Sequence, residues 1–227
     1  METAQLPRPE RIGLRRTWPS SPRARELLRL YAFRDPLSRL EYRLRLAICP
    51  FEAVAGHVPH DAGVLELGCG YGLLANLLAL DSPSRPIVGV DKEPSRIAIA
   101  QRSARGRSRV RFEVGDVTRI ELPSADCVAM NDLLHHVPHD RQIPLLEQCY
   151  RALPSGGRLL IKDVDKSSLL KYVWNYAHDL IKNRWLPFYC LDTPILVAIL
   201  EVVGFRVEVE RLDAGYPYSH VLYRCFK

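Results

Sequence analysis

The chain has 227 residues, and 47% of them are hydrophobic, which is enough for one α/β domain with a core on each face of a sheet. No apolar run approaches the roughly eighteen residues that a membrane span needs, and the arginine-rich N-terminus lacks the apolar segment of a signal peptide. The six cysteines form neither a C-x-x-C pair nor a short-loop pattern. This spacing favours reduced thiols in a cytoplasmic protein.

The positive charge is concentrated at the N-terminus. Residues 1–50 hold eleven arginines and five carboxylates, a net charge of +6, which equals the net charge of the whole chain. We expect residues 1–21, which are rich in proline and arginine, to form a flexible basic arm. Two interpretations stay open: the arm binds an acidic carrier protein or an anionic membrane surface, or it is only a solvated surface of an arginine-rich protein.

Between residues 22 and 58, apolar side chains recur near helical spacing with arginines between them, which predicts two helices. We interpret this segment as a helical cap across the cleft of the domain that follows. Packing on the outside of the sheet is the alternative.

A glycine-rich loop follows the first predicted strand. Glu66 precedes Gly68, Gly70 and Gly72 in a G-x-G-x-G pattern, whereas the dinucleotide fingerprint reads G-x-G-x-x-G. Glycines let the backbone lie against a ligand at the start of a helix, and the carboxylate suits a cationic ligand better than phosphates. The pattern therefore predicts a nucleotide-type cofactor loop and disfavours NAD.

Six further apolar runs predict strands, and their order predicts the fold. Asp91 ends the second strand, 19 residues after Gly72, where a carboxylate can accept both ribose hydroxyls. We predict a Rossmann-like α/β domain over residues 59–227, with a seven-stranded, mostly parallel sheet, an antiparallel last strand and helices on both faces. The predicted strands after the first lie at residues 87–90, 110–114, 126–130, 158–162, 205–212 and 220–226.

The chain resembles the class I S-adenosylmethionine-dependent methyltransferases over residues 45–227. Four markers of that family stand in order, at residues 66–72, 89–91, 115–117 and 153–157. The resemblance implies that S-adenosylmethionine is the cofactor.

The resemblance also implies the roles of individual residues. Glu66 and the glycine loop would hold the methionine part, Asp91 the ribose hydroxyls and Asp116 the adenine amino group, with Asn131 beneath the methionyl end. The alternative for Glu66 and Asp116 is a carboxylate that caps a following helix. Cys69 is interpreted as a small neutral filler rather than a nucleophile. The implied cofactor-binding residues are Glu66, Gly68, Cys69, Gly70, Gly72, Asp91, Lys92, Asp116, Val117 and Asn131.

An aromatic insertion, at about residues 165–190, follows the fifth strand. Ligands of open α/β sheets bind at the carboxyl ends of the strands, where this insertion emerges. We therefore expect a pocket for an apolar or aromatic acceptor; a plain hydrophobic lid or a dimer contact is the alternative. The residues predicted to line this acceptor pocket, called the acceptor residues below, are Tyr172, Trp174, Tyr176, His178 and His220.

Two adjacent histidines, His135 and His136, follow the fourth strand. Their Leu-His-His-Val stretch is similar to that of methyltransferases acting on sugars, quinones and polyketide-type products, some of which use a histidine here as a base. His136 is the first candidate because Val137 and Pro138 fix the chain after it, while His135 could pack inward. His178 and His220 are the competing bases, and a packing or capping role for the pair stays open.

We predict a methyltransferase of a small aromatic, polyene or lipid-like acceptor, with O-methylation by a histidine base as the first choice. C- or N-methylation and a non-catalytic accessory protein are the alternatives. We expect no metal, because the carboxylates Asp132 and Asp163 lack the usual amide neighbour. We expect no sequence-specific nucleic acid, because the Asx-Pro-Pro-aromatic signature is absent at Asn131. A monomer and a homodimer are both compatible with the sequence.

Overall fold

The computed structural model describes residues 21–165, 189–212, 214, 216 and 219–227. Four of the predicted acceptor residues, Tyr172, Trp174, Tyr176 and His178, lie outside the described residues. Residues 1–20 of the predicted arm do so as well.

Between residues 21 and 63, all of which the structure describes, three helices rather than the two predicted precede the sheet. They are α1 (Pro22–Arg29), α2 (Pro36–Ile48) and α3 (Phe51–Gly56). Ser21 and Asp35 act as N-caps, each accepting a hydrogen bond from a backbone N–H of the first turn at 3.0 Å. Helix α2 ends at Ile48, and the next residue, Cys49, is extended, because a residue that precedes a proline, here Pro50, disfavours the helical region.

The sheet has seven strands in the order β3-β2-β1-β4-β5-β7-β6. Strands β1 to β5 are parallel, and β7 pairs antiparallel with both β5 and β6. The predicted fold class is therefore confirmed. The strands are β1 (Val64–Leu67), β2 (Ile87–Asp91), β3 (Val110–Val114), β4 (Cys127–Asn131), β5 (Arg158–Val164), β6 (Arg206–Arg211) and β7 (His220–Phe226).

Helices cover both faces of the sheet and bury two separate cores. The other helices of the described residues are α4 (Leu73–Asp81), α5 (Pro94–Ser103), a 3₁₀ turn (Leu134–His136), α6 (His139–Ala152) and α7 (Thr193–Val203). Val64 of β1 belongs to the first core, with α1 to α5, and Leu65 and Leu67 belong to the second, with α6 and α7, as the alternation of side chains along a strand requires. Within the described ranges, no helix is long and apolar enough to cross a membrane.

Helix α1 is tied to the glycine loop by a buried tyrosine. Tyr31 is fully buried and donates a hydrogen bond to the backbone oxygen of Tyr71 at 2.8 Å. Asn76 of α4 donates to the Tyr31 hydroxyl at 3.0 Å and to Ser103 of α5 at 2.8 Å. The N-terminal helices thus share the first core with the sheet and contact the loop that follows β1.

Candidate active site

A pocket of about 590 Å³ opens at the carboxyl ends of the parallel strands. The strand order reverses between β1 and β4, and ligands of open α/β sheets bind at this point. The pocket brings together twelve predicted site residues, and the glycine loop, the ends of β2, β3 and β4 and the start of β7 position them. They are Glu66, Gly68, Cys69, Gly70, Asp91, Lys92, Asp116, Val117, Asn131, His135, His136 and His220. Tyr189, at the end of the predicted aromatic insertion, also lines the pocket, although it was not predicted as a site residue.

The three glycines of the loop differ in what they do. Gly68 and Gly70 have φ values of 69° and 53° and line the pocket, so the backbone itself forms the wall there. Gly72 is not among the described residues that line it. It is the left-handed N-cap of α4, with φ of 76°, and a Cβ there would meet the Phe112 ring at 2.6 Å. Its hydrogen atom lets α4 pack close to β3.

Glu66 lies at the end of β1, buried beneath the glycine loop. Its Oε2 accepts a hydrogen bond from the backbone N–H of Ala75 in the first turn of α4, at 3.0 Å. Burial raises the pKa of Glu66 to about 8, and the Ala75 N–H opposes the shift only in part. Glu66 therefore both caps the first turn of α4 and lines the pocket. A cation bound beside this carboxyl would stabilise its ionised form.

Asp91 joins the end of β2 to two loops. Its Oδ2 accepts from the Gly70 N–H at 2.8 Å, and its Oδ1 accepts from the Glu93 N–H at 2.9 Å. Each carboxylate oxygen keeps a second lone pair. Those lone pairs are available to hydroxyl donors of a ligand in the pocket.

Asp116 follows β3 and is held by its own turn. Its Oδ1 accepts from the N–H of Thr118 at 3.0 Å and from the Thr118 hydroxyl at 2.7 Å. Burial raises the pKa of Asp116, but these hydrogen bonds and Arg119 outweigh it and the net pKa is lowered. The side chain is 42% exposed and so reaches the mouth of the pocket. Val117 and Lys92 also line the pocket.

The end of β4 carries an unsatisfied acceptor. Asn131 donates through Nδ2 to Asp132 Oδ2 at 3.3 Å, while its Oδ1 is buried and has no hydrogen-bond partner among the described residues. A buried acceptor without a donor is costly. The side-chain oxygen Oδ1 of Asn131 can therefore accept a hydrogen bond from a ligand or lie beside a ligand's positive charge.

Asp132 and Lys162 form an ion pair at the base of the pocket. Lys162 is fully buried on β5, and its Nζ lies 2.6 Å from Asp132 Oδ1. The backbone N–H of Asp132 donates to the Lys162 carbonyl at 2.8 Å, and Asp132 has a left-handed φ of 56°. Burial raises the pKa of Asp132, but Lys162 and two histidines outweigh it and hold that pKa well below its usual range. Lys162 thus holds Asp132 in its unusual conformation.

His135 is buried against Asp163 of β5. Its backbone N–H donates to Asp163 Oδ2 at 3.1 Å, and its ring Nδ1 forms a short hydrogen bond with Asp163 Oδ1. With Asp163 ionised, Nδ1 must carry the hydrogen, so Nε2 is the nitrogen that can accept a proton. Asp132 and Asp163, the two carboxylates at positions where a magnesium site would need them, therefore already contact Lys162 and His135, respectively. Within the described ranges, no cluster of metal-ligating side chains occurs.

The other two histidines that line the pocket, His136 and His220, have strongly lowered pKa values. The ring of His136 lies 4.0 Å from that of His135, and burial, reinforced by His135, lowers the pKa of His136 to about 4. Burial and Lys162 lower the pKa of His220 to about 3. His220 lies 2.7 Å from the Ile48 carbonyl through Nε2, which must therefore be the donor. This contact ties the end of α2 to the start of β7.

Helix α2 supplies one wall of the pocket through Arg45, Ile48 and Cys49. Cys49 Sγ lies 3.6 Å from Asp132 Oδ2. Cys69 of the glycine loop is buried, and burial together with the carboxylate of Glu66 raises the pKa of its thiol. Its sulfur therefore stays protonated and neutral.

The fold and the pocket define a Rossmann-like protein with a nucleotide-type cofactor site, and comparisons with known proteins identify its class. A family model described as a methyltransferase domain matches residues 64–157. An uncharacterized 37.1 kDa protein in transposon TN4556 of Streptomyces fradiae is 31% identical, over 98% of this chain and 68% of that protein. Demethylmenaquinone methyltransferase of Thermus thermophilus is 32% identical, over 70% of this chain and 80% of the relative.

Among solved structures, an S-adenosylmethionine-dependent methyltransferase from Mesorhizobium loti matches with a TM-score of 0.65 at 17% identity, covering 78% of this chain and 96% of that one. This likeness supports the fold. The chain belongs to the S-adenosylmethionine-dependent methyltransferases. It is an enzyme of that class with S-adenosylmethionine as its cofactor.

Lys162 was missed from the sequence, and so were the particular pocket residues of the predicted cap, Arg45, Ile48 and Cys49. Lys162 stands in an apolar strand run, and a lysine there is a signal, because a fully buried lysine needs an anionic partner. Asp132 and Lys162 are 30 positions apart. Only the parallel pairing of β4 with β5 brings them together.

Proposed function

We propose that the enzyme transfers a methyl group to an oxygen of a small aromatic, polyene or lipid-like acceptor, with a histidine as general base. The observation that carries the proposal is the pairing of His135 with Asp163 beside a cofactor-sized pocket. C- or N-methylation of a similar acceptor is the alternative.

The polar groups of the pocket wall fit the cofactor. S-adenosylmethionine, when bound, supplies a methyl group on a sulfonium for an in-line displacement. Glu66 and the unpaired Oδ1 of Asn131 offer acceptors to its positive charges. The two oxygens of Asp91, already ordered by loop N–H groups, would take the ribose hydroxyls. Asp116 with Lys92 and Val117 would border the adenine.

The acceptor would lie between α2 and the histidines, so residues 22–58 would act as the predicted helical cap. Arg45 and Ile48 face the pocket from one side, and His135 and His136 face it from the other. The Thermus thermophilus relative is named for demethylmenaquinone, which supports a quinone-type acceptor. Tyr172, Trp174, Tyr176 and His178 remain predicted acceptor residues.

The contacts favour His135 over His136 as the base. A general base works best with a pKa near the working pH, and the pKa of His136 is lowered to about 4. The Asp163 carboxylate stabilises the imidazolium that His135 forms when its Nε2 takes the acceptor's proton. The acceptor oxygen, once His135 holds its proton, would be placed to take the methyl group that bound S-adenosylmethionine supplies. Alignment of the two reactants supplies much of the remaining rate enhancement.

The cofactor assignment is tested by calorimetry with S-adenosylhomocysteine. Asp91→Ala should weaken binding by about 1.5–3 kcal/mol, the range for hydrogen bonds to a charged group. Asp61→Asn, at a fully exposed carboxylate remote from the pocket, is the matched control and should bind normally. Equal affinity of Asp91→Ala and the unchanged chain would refute the ribose assignment.

The base assignment is tested by S-adenosylhomocysteine release with a panel of hydroxylated naphthoquinones and phenols. His135→Ala should lower kcat by about 10²–10⁴ with cofactor affinity unchanged. Asp163→Asn should lower kcat as well, whereas His136→Ala should have a smaller effect. If only His136→Ala or His220→Ala were inactive, His135 would lose the role. Carbon-13 NMR of the labelled product separates oxygen from carbon methylation.

We also infer a cytoplasmic location. All six cysteines are free thiols, which is typical of a reducing compartment. The acidic carrier or membrane surface predicted for residues 1–21 stays a proposal, as does the choice between monomer and homodimer.

A further inference from the structure

Helix α2 exposes a stripe of large apolar side chains. Leu37, Leu40 and Leu44 are 77%, 51% and 55% exposed. At 3.6 residues per turn their spacing puts all three on one face of the helix. Single exposed leucines are ordinary, but three on one face form an apolar patch of the kind that marks an interaction surface.

Beside this stripe lies a groove lined by arginines. It has a volume of about 410 Å³ and runs between α1 and α2. Arg25 and Arg29 line it from α1, and Arg39 and Arg43 line it from α2. Tyr31 and Tyr42 close its floor.

The groove carries uncompensated positive charge. Two arginines of α1 and α2 that do not line the groove have acidic partners: Arg23 pairs with Asp81, and Arg45 lies 3.6 Å from Glu41. Arg29, Arg39 and Arg43, by contrast, have no ion-pair partner within the described part of the chain. The groove therefore presents donors suited to phosphate oxygens.

The order of these features around α2 is informative. On a helical projection the leucine stripe lies between Arg39 and Arg43 on one side and Arg45 and Ile48 on the other. Arg45 and Ile48 line the active-site pocket. The apolar stripe thus separates the basic groove from the pocket wall.

We propose that the α1–α2 face, defined by the leucine stripe of Leu37, Leu40 and Leu44 and the arginine groove, docks on an anionic phospholipid bilayer. The leucines enter the interface while the arginines bind headgroup phosphates, which is the arrangement of an interfacial amphipathic helix. The pocket then opens next to the bilayer surface. This function goes beyond methyl transfer and requires no particular acceptor.

Charge argues for the bilayer over a second copy of the chain. A two-fold contact through the leucine stripe is isologous, so it would bring Arg39 and Arg43 of both copies to one interface. Facing arginines repel each other, whereas a phosphate surface attracts both rows.

The test is flotation of the full chain with two kinds of vesicle, pure phosphatidylcholine and phosphatidylcholine mixed with phosphatidylglycerol. The chain should bind the mixed vesicles, and added salt should weaken binding. Leu40→Glu with Leu44→Glu, and separately Arg39→Glu with Arg43→Glu, should each reduce partitioning at least about tenfold, since each basic residue near an anionic surface contributes about fivefold.

Matched variants keep the test specific. Ile195→Glu with Val202→Glu changes two exposed apolar residues of α7, which are 50% and 89% exposed. Arg105→Glu with Arg109→Glu changes two exposed arginines that do not line the groove. Both pairs should bind like the unchanged chain, and melting curves verify folding of every variant.

Three results would overturn the proposal. The first is absence of binding to the mixed vesicles. The second is equal loss of binding in the control pairs, which would reflect total charge alone. The third is a dimer that the leucine variant converts to a monomer without any change in vesicle binding, which would assign the face to a second copy. A lost methyl-transfer activity with retained vesicle binding would count against the proposed function only.

Discussion

Glu66 couples cofactor binding to a proton. Its pKa is raised to about 8 by burial, so at pH 7 the carboxyl is mostly protonated in the absence of a cationic ligand. A positive charge beside it lowers that pKa, and binding of S-adenosylmethionine at pH 7 should therefore release a proton. The release should vanish well above pH 8, where the group is already ionised.

Calorimetry in buffers of different ionisation enthalpy measures this release directly. Glu66→Gln should abolish it, because the amide does not titrate. Unchanged proton release in the variant would place the titrating group elsewhere. The same raised pKa means that the stability contributed by the neutral carboxyl is lost as pH rises from about 4.5 through about 8.

The local motifs were predictable from the sequence, and long-range partners were not. Glu66, Asp91 and Asp116 are identified by their positions at the ends of apolar runs, and the structure places all three in the pocket wall. The pairing of His135 with Asp163 depends on β4 lying next to β5. Sequence spacing carries no information about which of two adjacent histidines meets that carboxylate.

At the scale of elements, the Lys162–Asp132 pair joins β5 to the loop after β4. Lys162→Met removes the cation from Asp132 and should cost stability toward the lower end of about 3–5 kcal/mol, because Asp132 keeps 29% of its side chain exposed. Urea denaturation measures the loss. Arg206→Met, at a 65% exposed arginine paired with Glu208, is the control and should cost less than about 1 kcal/mol.

Equal losses for the two variants would show that burial of the Lys162–Asp132 pair does not matter. The double variant Lys162→Met with Asp132→Asn should recover part of the stability. Recovery follows because no unpaired charge is left in the pocket base.

Helix α4 packs on β3 only because residue 72 is glycine. Gly72→Ala places a Cβ in the left-handed region at φ of 76° and within 2.6 Å of the Phe112 ring. Gly106→Ala has the same conformational problem, with φ of 83°, but its Cβ meets nothing within 4 Å. The difference between the two free energies of unfolding isolates the overpacking cost, for which we expect about 1–3 kcal/mol. Equal costs would show that Phe112 moves aside freely.

The N-terminal elements were predicted only in part. Helical spacing indicated two helices between residues 22 and 58, and the structure adds a third, α3, after the break at Cys49 and Pro50. A proline's effect on the preceding residue is a local rule, so the end of α2 was accessible from the sequence. The docking of Tyr31 on the glycine loop was not, because that contact spans 40 positions.

At the scale of the whole molecule, α1 to α3 belong to the same core as the sheet. Leu27 and Leu46 are fully buried in the first core with the apolar face of α4. The side chain of Ser21 caps α1. We therefore propose that the folding unit includes this cap and the helices α1 to α3 as well as the domain predicted over residues 59–227.

Two truncations test where the folding unit starts. A chain beginning at Ser21 keeps the N-cap and every buried residue of α1, so its melting temperature and cofactor affinity should equal those of the full chain.

A chain beginning at Asp35 loses three fully buried side chains, Ala24, Leu27 and Tyr31. A buried side chain of leucine size contributes about 1.5–3 kcal/mol, and the Tyr31 hydroxyl also holds the glycine loop through Tyr71. This shorter chain should therefore melt at a lower temperature and bind S-adenosylmethionine more weakly. A lowered melting temperature of the Ser21 chain would mean that residues 1–20 are packed on the domain. Full stability of the Asp35 chain would mean that the buried contacts of α1 are replaced by the rest of the core.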